Sequence, residues 1–162
     1  MKSAVSNSTA LIAFGNVGKL EILREIYGEI YVPSAVNREV KTVDLPNWIK
    51  KVNIKSHASY DFLTNQNGLH PGESEAIILA DELHRLYGVK ALLLDENMAR
   101  SIAKKMFKNQ KYPKIHSVVH TSKIAEKKGL VRSHVSLVME LWRNGYEPTA
   151  EDKIALFKAG FK

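Results

Sequence analysis

Three short apolar runs, each stopped by a polar residue or a proline and each followed by a helical pattern, constrain this chain most. Ala4-Val5 leads into Ser6-Asn7-Ser8, Ile30-Tyr31-Val32 into Pro33-Ser34, and Leu92-Leu93-Leu94 into Asp95. Bounded by turn and cap signals, runs this short read as strands. Strands that lack polar alternation are buried on both faces, as in parallel sheets covered by helices. The chain is therefore expected to be an α/β protein with a mainly parallel sheet and helices on both sides. In such sheets functional side chains collect beyond the carboxyl ends of the strands. Asn7, the helix start after Val32 and Asp95 all fall there.

The segments between these runs carry helical signals. Thr9 to Phe14 and Leu20 to Tyr27 read as two helical pieces interrupted by Gly15 and Gly18, the second closed by Gly28. Pro33-Ser34 opens a helix through Val36 and Val40. Pro71-Gly72-Glu73 starts the clearest helix, with Ala76, Leu79, Ala80, Leu83 and Tyr87 facing inward, and another runs from about Asn97 to Phe107. Between Thr42 and Leu69 no period dominates; Trp48, Ile49, Val52 and Ile54 suit a short helix or a strand, and 65–68 a polar loop. A last strand is expected within Tyr112 to Val119, broken by Pro113, and helices near 121–128, 133–144 and 151–158 finish the chain.

At 162 residues, with no internal repeat or linker, a single domain over 1–162 is expected. Absence of cysteine excludes disulfides and thiolate metal sites and fits a reducing compartment. No apolar run approaches the roughly 20 residues of a membrane helix, and the N-terminus lacks a secretory h-region, so a cytoplasmic protein without membrane association is expected. A formal charge of +7 favours polyanions as partners. Lys104, Lys105, Lys108, Lys111 and Lys114 form one basic stretch, and Lys123, Lys127, Lys128, Arg132 and His134 another. Nucleic acid is the commonest polyanion for such stretches, and solvated helix faces are the competing reading.

Against this basic background, carboxylates recur near the expected sheet edge: Glu39, Glu73, Glu75 and Asp95, with Glu96 beside the last. Carboxylates gathered in a positive protein point to divalent-metal chemistry on a polyanion. Hydrolysis of a phosphodiester needs an activated water and stabilised phosphoryl oxygens, and divalent ions supply both. Mg²⁺ is held by one or two carboxylates plus substrate phosphates. No histidine pattern of the His-Glu-x-x-His kind and no glycine-rich phosphate loop is present. Asp95 is the leading candidate, with capping of the next helix as the alternative. Glu73 and Glu75 point about 200° apart on one helix, which favours Glu75, beside Ala76 and Leu79, for the pocket and Glu73 for the helix dipole. Glu39 borders Val36 and Val40 or is a surface glutamate. Arg100 orients a carboxylate, touches phosphate, or pairs with Glu96. Ser8 caps its helix or contacts phosphate.

The same residues resemble a known family. Ala-Val-Ser-Asn-Ser-Thr-Ala-Leu-Ile-Ala-Phe (4–14), Tyr-Val-Pro-Ser-Ala-Val-Asn-Arg-Glu-Val (31–40), His-Pro-Gly-Glu-Ser-Glu-Ala-Ile (70–77) and Leu-Leu-Leu-Asp-Glu-Asn-Met-Ala-Arg (92–100) are similar, in order, to PIN-domain proteins. Lys-Lys-Gly-Leu-Val (127–131) and Arg-Asn-Gly-Tyr-Glu-Pro-Thr (143–149) extend the likeness through the tail. The resemblance implies a three-layer α/β/α fold and, in active members, Mg²⁺- or Mn²⁺-dependent cleavage of RNA. Many members are toxins with a cognate antitoxin protein, and many form homodimers. The family's acidic set falls on Asn7, Glu39, Glu75 and Asp95, with Glu39, Glu75 and Asp95 as metal ligands and Glu73 and Glu96 as auxiliary acids. Ser8, Arg100, Lys104 and Lys105 are the expected nucleic-acid contacts.

The first acidic position departs from the pattern, for active members carry Asp where this chain has Asn7. An amide oxygen can ligate a cation but brings no charge and is no base. That leaves a nuclease of weakened or lost activity, compensation by Glu73 or Glu96, or an introduced substitution. His116-Ser117-Val118 also lacks the Gly-Thr frequent in the prokaryotic PIN-domain branch of predicted nucleic-acid-binding proteins that the chain most resembles. A catalytically inactive module that binds RNA or a partner is the other reading.

Overall fold

The structure is a computed structural model describing residues 3–160. Residues 1, 2, 161 and 162 of the expected single domain lie outside the described residues. Five strands, β1 (Ser3–Ser6), β2 (Glu29–Val32), β3 (Ile49–Lys51), β4 (Ala91–Leu93) and β5 (Lys114–His116), form one sheet in the order β3-β2-β1-β4-β5. Every neighbouring pair is parallel. The α/β fold read from the strand-like runs is the fold observed.

Period-two alternation decides which layer each strand residue serves. Ala4, Ile30, Val32, Ala91 and Leu93 face one layer, with Leu11 and Phe14 of α1 (Ser8–Asn16) and Leu23, Ile26 and Tyr27 of α2 (Leu20–Tyr27). That layer also holds α7 (Val118–Lys127) and α8 (His134–Arg143). Val5, Leu92 and Leu94 face the other, under α5 (Pro71–Tyr87) and α6 (Asn97–Met106). Both faces are therefore apolar, as strands without polar alternation require.

The remaining elements are α3 (Ser34–Glu39), α4 (His57–Asp61), a π-helical turn Phe62–Gln66, and α9 (Ala150–Lys158). Several expectations are corrected. The ambiguous stretch around Trp48 contributes an edge strand, β3, of which only Ile49 is buried. Pro113 precedes β5 rather than breaking it. Tyr87, expected to face inward, is 76% exposed: it is the last residue of α5, beside exposed Leu86 and before the left-handed cap Gly88, where the inward stripe has ended. No helix among the described residues is long and apolar enough to cross a membrane.

Chain order reverses between β1 and β4, since β2 and β3 lie to one side of β1 and β4 and β5 to the other. A crevice opens outside the carboxyl ends at such a reversal. Here it is pinned by the Asn7 amide, which donates to the Leu93 carbonyl at 3.1 Å.

Candidate functional site

The crevice holds two adjoining hollows that share Ser8, Thr9 and Glu96. The first, of about 390 Å³, is lined also by Asn7, Glu39, His70, Pro71 and Glu73. The second, of about 560 Å³, runs past Asp95 to Tyr146 and the start of α9.

Asn7 sits in extended conformation at the N-cap of α1, yet its side chain caps nothing. It is 4% exposed, and its Oδ1 has no hydrogen-bond partner among the described residues. Leaving a buried acceptor unmade costs about 1–3 kcal/mol. Ser8, the next residue, donates its hydroxyl to Glu39 Oε2 at 2.8 Å, which turns the end of α3 toward the start of α1. Gly72 makes this placement possible: a Cβ there would come within 3.0 Å of the Glu39 carboxylate. Glu73 closes the capping box of α5 by accepting from the His70 amide at 3.3 Å. Burial, Glu96 and then Glu39 push the Glu73 carboxyl above its ordinary range, although the His70 amide pulls the other way. Glu96 caps α6, accepting from the amides of Met98 at 3.0 Å and Ala99 at 2.6 Å.

Asp95, 8% exposed, is spent in the opposite direction. Oδ1 accepts from the Val118 amide at the first turn of α7, at 2.8 Å, and Oδ2 from the Tyr146 hydroxyl at 2.5 Å. Burial raises its carboxyl above the usual range, and these two donors oppose that shift. The same burial, with the Asp95 charge, raises the Tyr146 phenol. Arg100 and Asp152 flank the pair, the first lowering and the second raising the Asp95 carboxyl. Arg100 Nε and Asp152 Oδ2 are both buried without a partner among the described residues.

The structure thus brings together Asn7, Ser8, Glu39, Glu73 and Glu96, and sets Asp95 at the far side of the same crevice. Glu75 does not line either hollow; its Oε1 accepts from the Ala35 amide at 3.1 Å and so stitches α5 to the start of α3. Adjacency to the inward stripe did not decide where a long side chain ends. Glu73 fills the helix-terminal role expected of it and lines the pocket as well. Capping of α6 falls to Glu96 rather than Asp95. Arg100 makes no ion pair with Glu96 among the described residues, and its charge lowers the Asp95 carboxyl. Lys104 and Lys105 lie in the last turn of α6, exposed and roughly 12 Å along the helix from Glu96, away from the crevice. Sequence reasoning missed Tyr146, Asp152, His70 and Gly72. Tyr146 lay within Gly-Tyr-Glu-Pro, a segment already marked by its resemblance, and Gly72 stood beside two quoted acids.

Among the described residues no three His, Cys, Asp or Glu side chains form a metal-ligand group. The oxygens facing the first hollow, with the orphaned Asn7 Oδ1, suit a hard cation that keeps waters and takes further ligands from phosphate. They do not make a closed cage.

A family model described as a PIN domain matches residues 3–109. No curated protein and no solved structure matches. The matched segment covers most of the chain and contains β1, β2, β3, β4 and every residue of the first hollow. The chain therefore belongs to the PIN-domain family, whose members are nucleic-acid-binding domains of nuclease type that generally use divalent metals.

Proposed function

We propose that this PIN domain is a divalent-metal-dependent ribonuclease whose activity is weakened at one ligand position by Asn7. The observation that carries the reading is Asn7, which lines one hollow with Glu39, Glu73 and Glu96 and whose buried Oδ1 finds no donor among the described residues. A neutral amide acceptor left unmade is completed by a cation or by a donor hydrogen, and the neighbouring carboxylates favour the cation. Asn7, Glu39 and Glu73 would hold Mg²⁺ or Mn²⁺, with Glu96 near. When bound, the ion supplies an activated water and charge neutralisation at the scissile phosphate. Ser8 positions the Glu39 carboxylate. Asp95, held by Val118 and Tyr146, lines the second hollow, where the flanking nucleotide would pass. RNA as substrate, a cognate antitoxin protein, a homodimer and a cytoplasmic setting belong to the same proposal.

The test is RNA cleavage with Mn²⁺ or Mg²⁺. Asn7→Asp restores a charge to the ion's shell and is expected to cleave more than about 100-fold faster than the unaltered chain, a larger effect than the roughly 10–100-fold that outer partners give. Adding Glu39→Gln to Asn7→Asp should abolish the gain. The absence of a converged ligand group favours one second reading, a module that binds RNA without cutting it. If no variant cleaves and RNA binds equally with and without metal, that second reading replaces the first.

A further inference from the structure

At the amino ends of the strands, opposite the crevice, lies a second feature that the proposed activity does not use. Lys90 precedes β4, and Tyr112 and Lys114 stand at the start of β5. The ammonium groups of Lys90, Lys111 and Lys114 lie 4.4, 5.4 and 5.8 Å from the centre of the Tyr112 ring. All three lysines are exposed, and none makes an ion pair with a carboxylate among the described residues. Three like charges gathered on one ring repel one another, and the ring's negative face offsets only part of that. An anion would offset the rest.

Beside the lysines opens a cavity of about 310 Å³, at the lower end of small-molecule sites. Its walls are Ile26, Ala91 and Ile124, with Tyr112, Tyr27 and His116 as ring-bearing residues. Tyr27 fixes the His116 ring: its hydroxyl lies 2.8 Å from Nδ1 and 2.9 Å from Thr121 Oγ1. Burial, with smaller contributions from His120 and Lys114, lowers the His116 imidazole to about 4, so it is neutral at pH 7. A neutral imidazole can meet a ligand's polar edge without adding charge. Among the described residues no carboxylate lines this cavity.

We infer that this cavity is a nucleotide site, taking one nucleobase between Ile26, Ala91, Ile124 and Tyr112 and its phosphate on Lys90 and Lys114. The size admits a single base with its sugar, and the charge sits at the mouth where a phosphate would leave the cavity. The ligand is a free nucleotide or one nucleotide of a longer strand, and both present the same chemistry.

Calorimetric titration of the full chain with adenosine 5′-monophosphate, adenosine, inorganic phosphate and an oligoadenylate of about ten residues tests this. The monophosphate is expected to bind about tenfold more tightly than adenosine or phosphate alone, because both halves of the site are filled. Lys90→Gln with Lys114→Gln, at exposed positions where folding is undisturbed, should weaken it about tenfold or more. An oligoadenylate that binds more tightly than the monophosphate, and is weakened by the same pair, identifies a strand; equal affinities identify the free nucleotide. The site is refuted if phosphate alone binds as well as the monophosphate, if the double substitution changes nothing, or if no monophosphate binds at millimolar concentration.

Discussion

The two edges of the sheet carry opposite chemistry on one scaffold. Beyond the carboxyl ends lie Asn7, Glu39, Glu73, Glu96 and Asp95; at the amino ends lie Lys90, Lys111 and Lys114 around Tyr112. At the first edge each carboxylate is tied to a backbone amide or a hydroxyl that sets its direction. At the second, the lysines rest on a ring and no acid answers them. A net charge of +7 therefore says little about where a polyanion meets the protein. An edge built of anchored carboxylates is prepared for a cation, and an edge of unanswered lysines for an anion.

The sharpest way to break the comparison is to remove one charge from the acidic edge. In the Asn7→Asp background, Glu39→Gln is expected to lower RNA cleavage by about 100-fold or more, while monophosphate binding at the lysine edge stays unchanged. Loss of both together would show that the edges are one site. Next in size is Tyr146→Phe, which deprives buried Asp95 of a donor. It should cost about 1–3 kcal/mol in denaturant unfolding, and a cost near zero would mean that solvent replaces the phenol.

Acid separates the edges by sign. His116 titrates lower in the folded chain, near 4, than its ordinary 6.5. Its contribution to stability is thus complete above 6.5 and is lost as the pH falls toward 4. Glu73 has the reverse shift, so its charge opposes folding at neutral pH, and Glu73→Gln should raise the melting temperature at pH 7. Melting curves across that range should show His116→Gln flattening the acid limb.

The smallest expected effect is on stability at Gly72. The group in the way of a new Cβ is the end of an exposed glutamate, which can swing aside. Gly72→Ala should therefore leave the fold unchanged or more stable by up to about 1 kcal/mol while releasing Glu39 from Ser8. Cleavage by the Asn7→Asp form should fall, although the fold does not suffer.

Most of the fold was legible because burial on both faces of a strand leaves a signature that local residues carry by themselves. Ala4-Val5 and Leu92-Leu93-Leu94 could be read without their neighbours. Residues 42–69 could not, since Ile49 alone of β3 is buried and α4 buries nothing, so no period is imposed on them. At the site, the placement of Asn7 and Asp95 beyond the strand ends followed from the apolar runs, whereas Glu39 stayed open between core border and surface and Glu73 was expected at the helix dipole rather than in the pocket. Directions of side chains did not follow. Glu75 is caught by an amide 40 residues away and Asp95 by a phenol 51 residues away, and separations of that kind leave no mark on a periodicity.

The family match stops at residue 109, whereas the groups that hold Asp95 come later, from Val118 and Tyr146. The recognisable portion thus borrows part of its crevice from a stretch that the match does not reach. Exchange of that stretch between relatives would succeed only when the incoming segment brings a hydroxyl to the same carboxylate. A change at position 146 is therefore felt directly at position 95, on the other side of the point where the match ends.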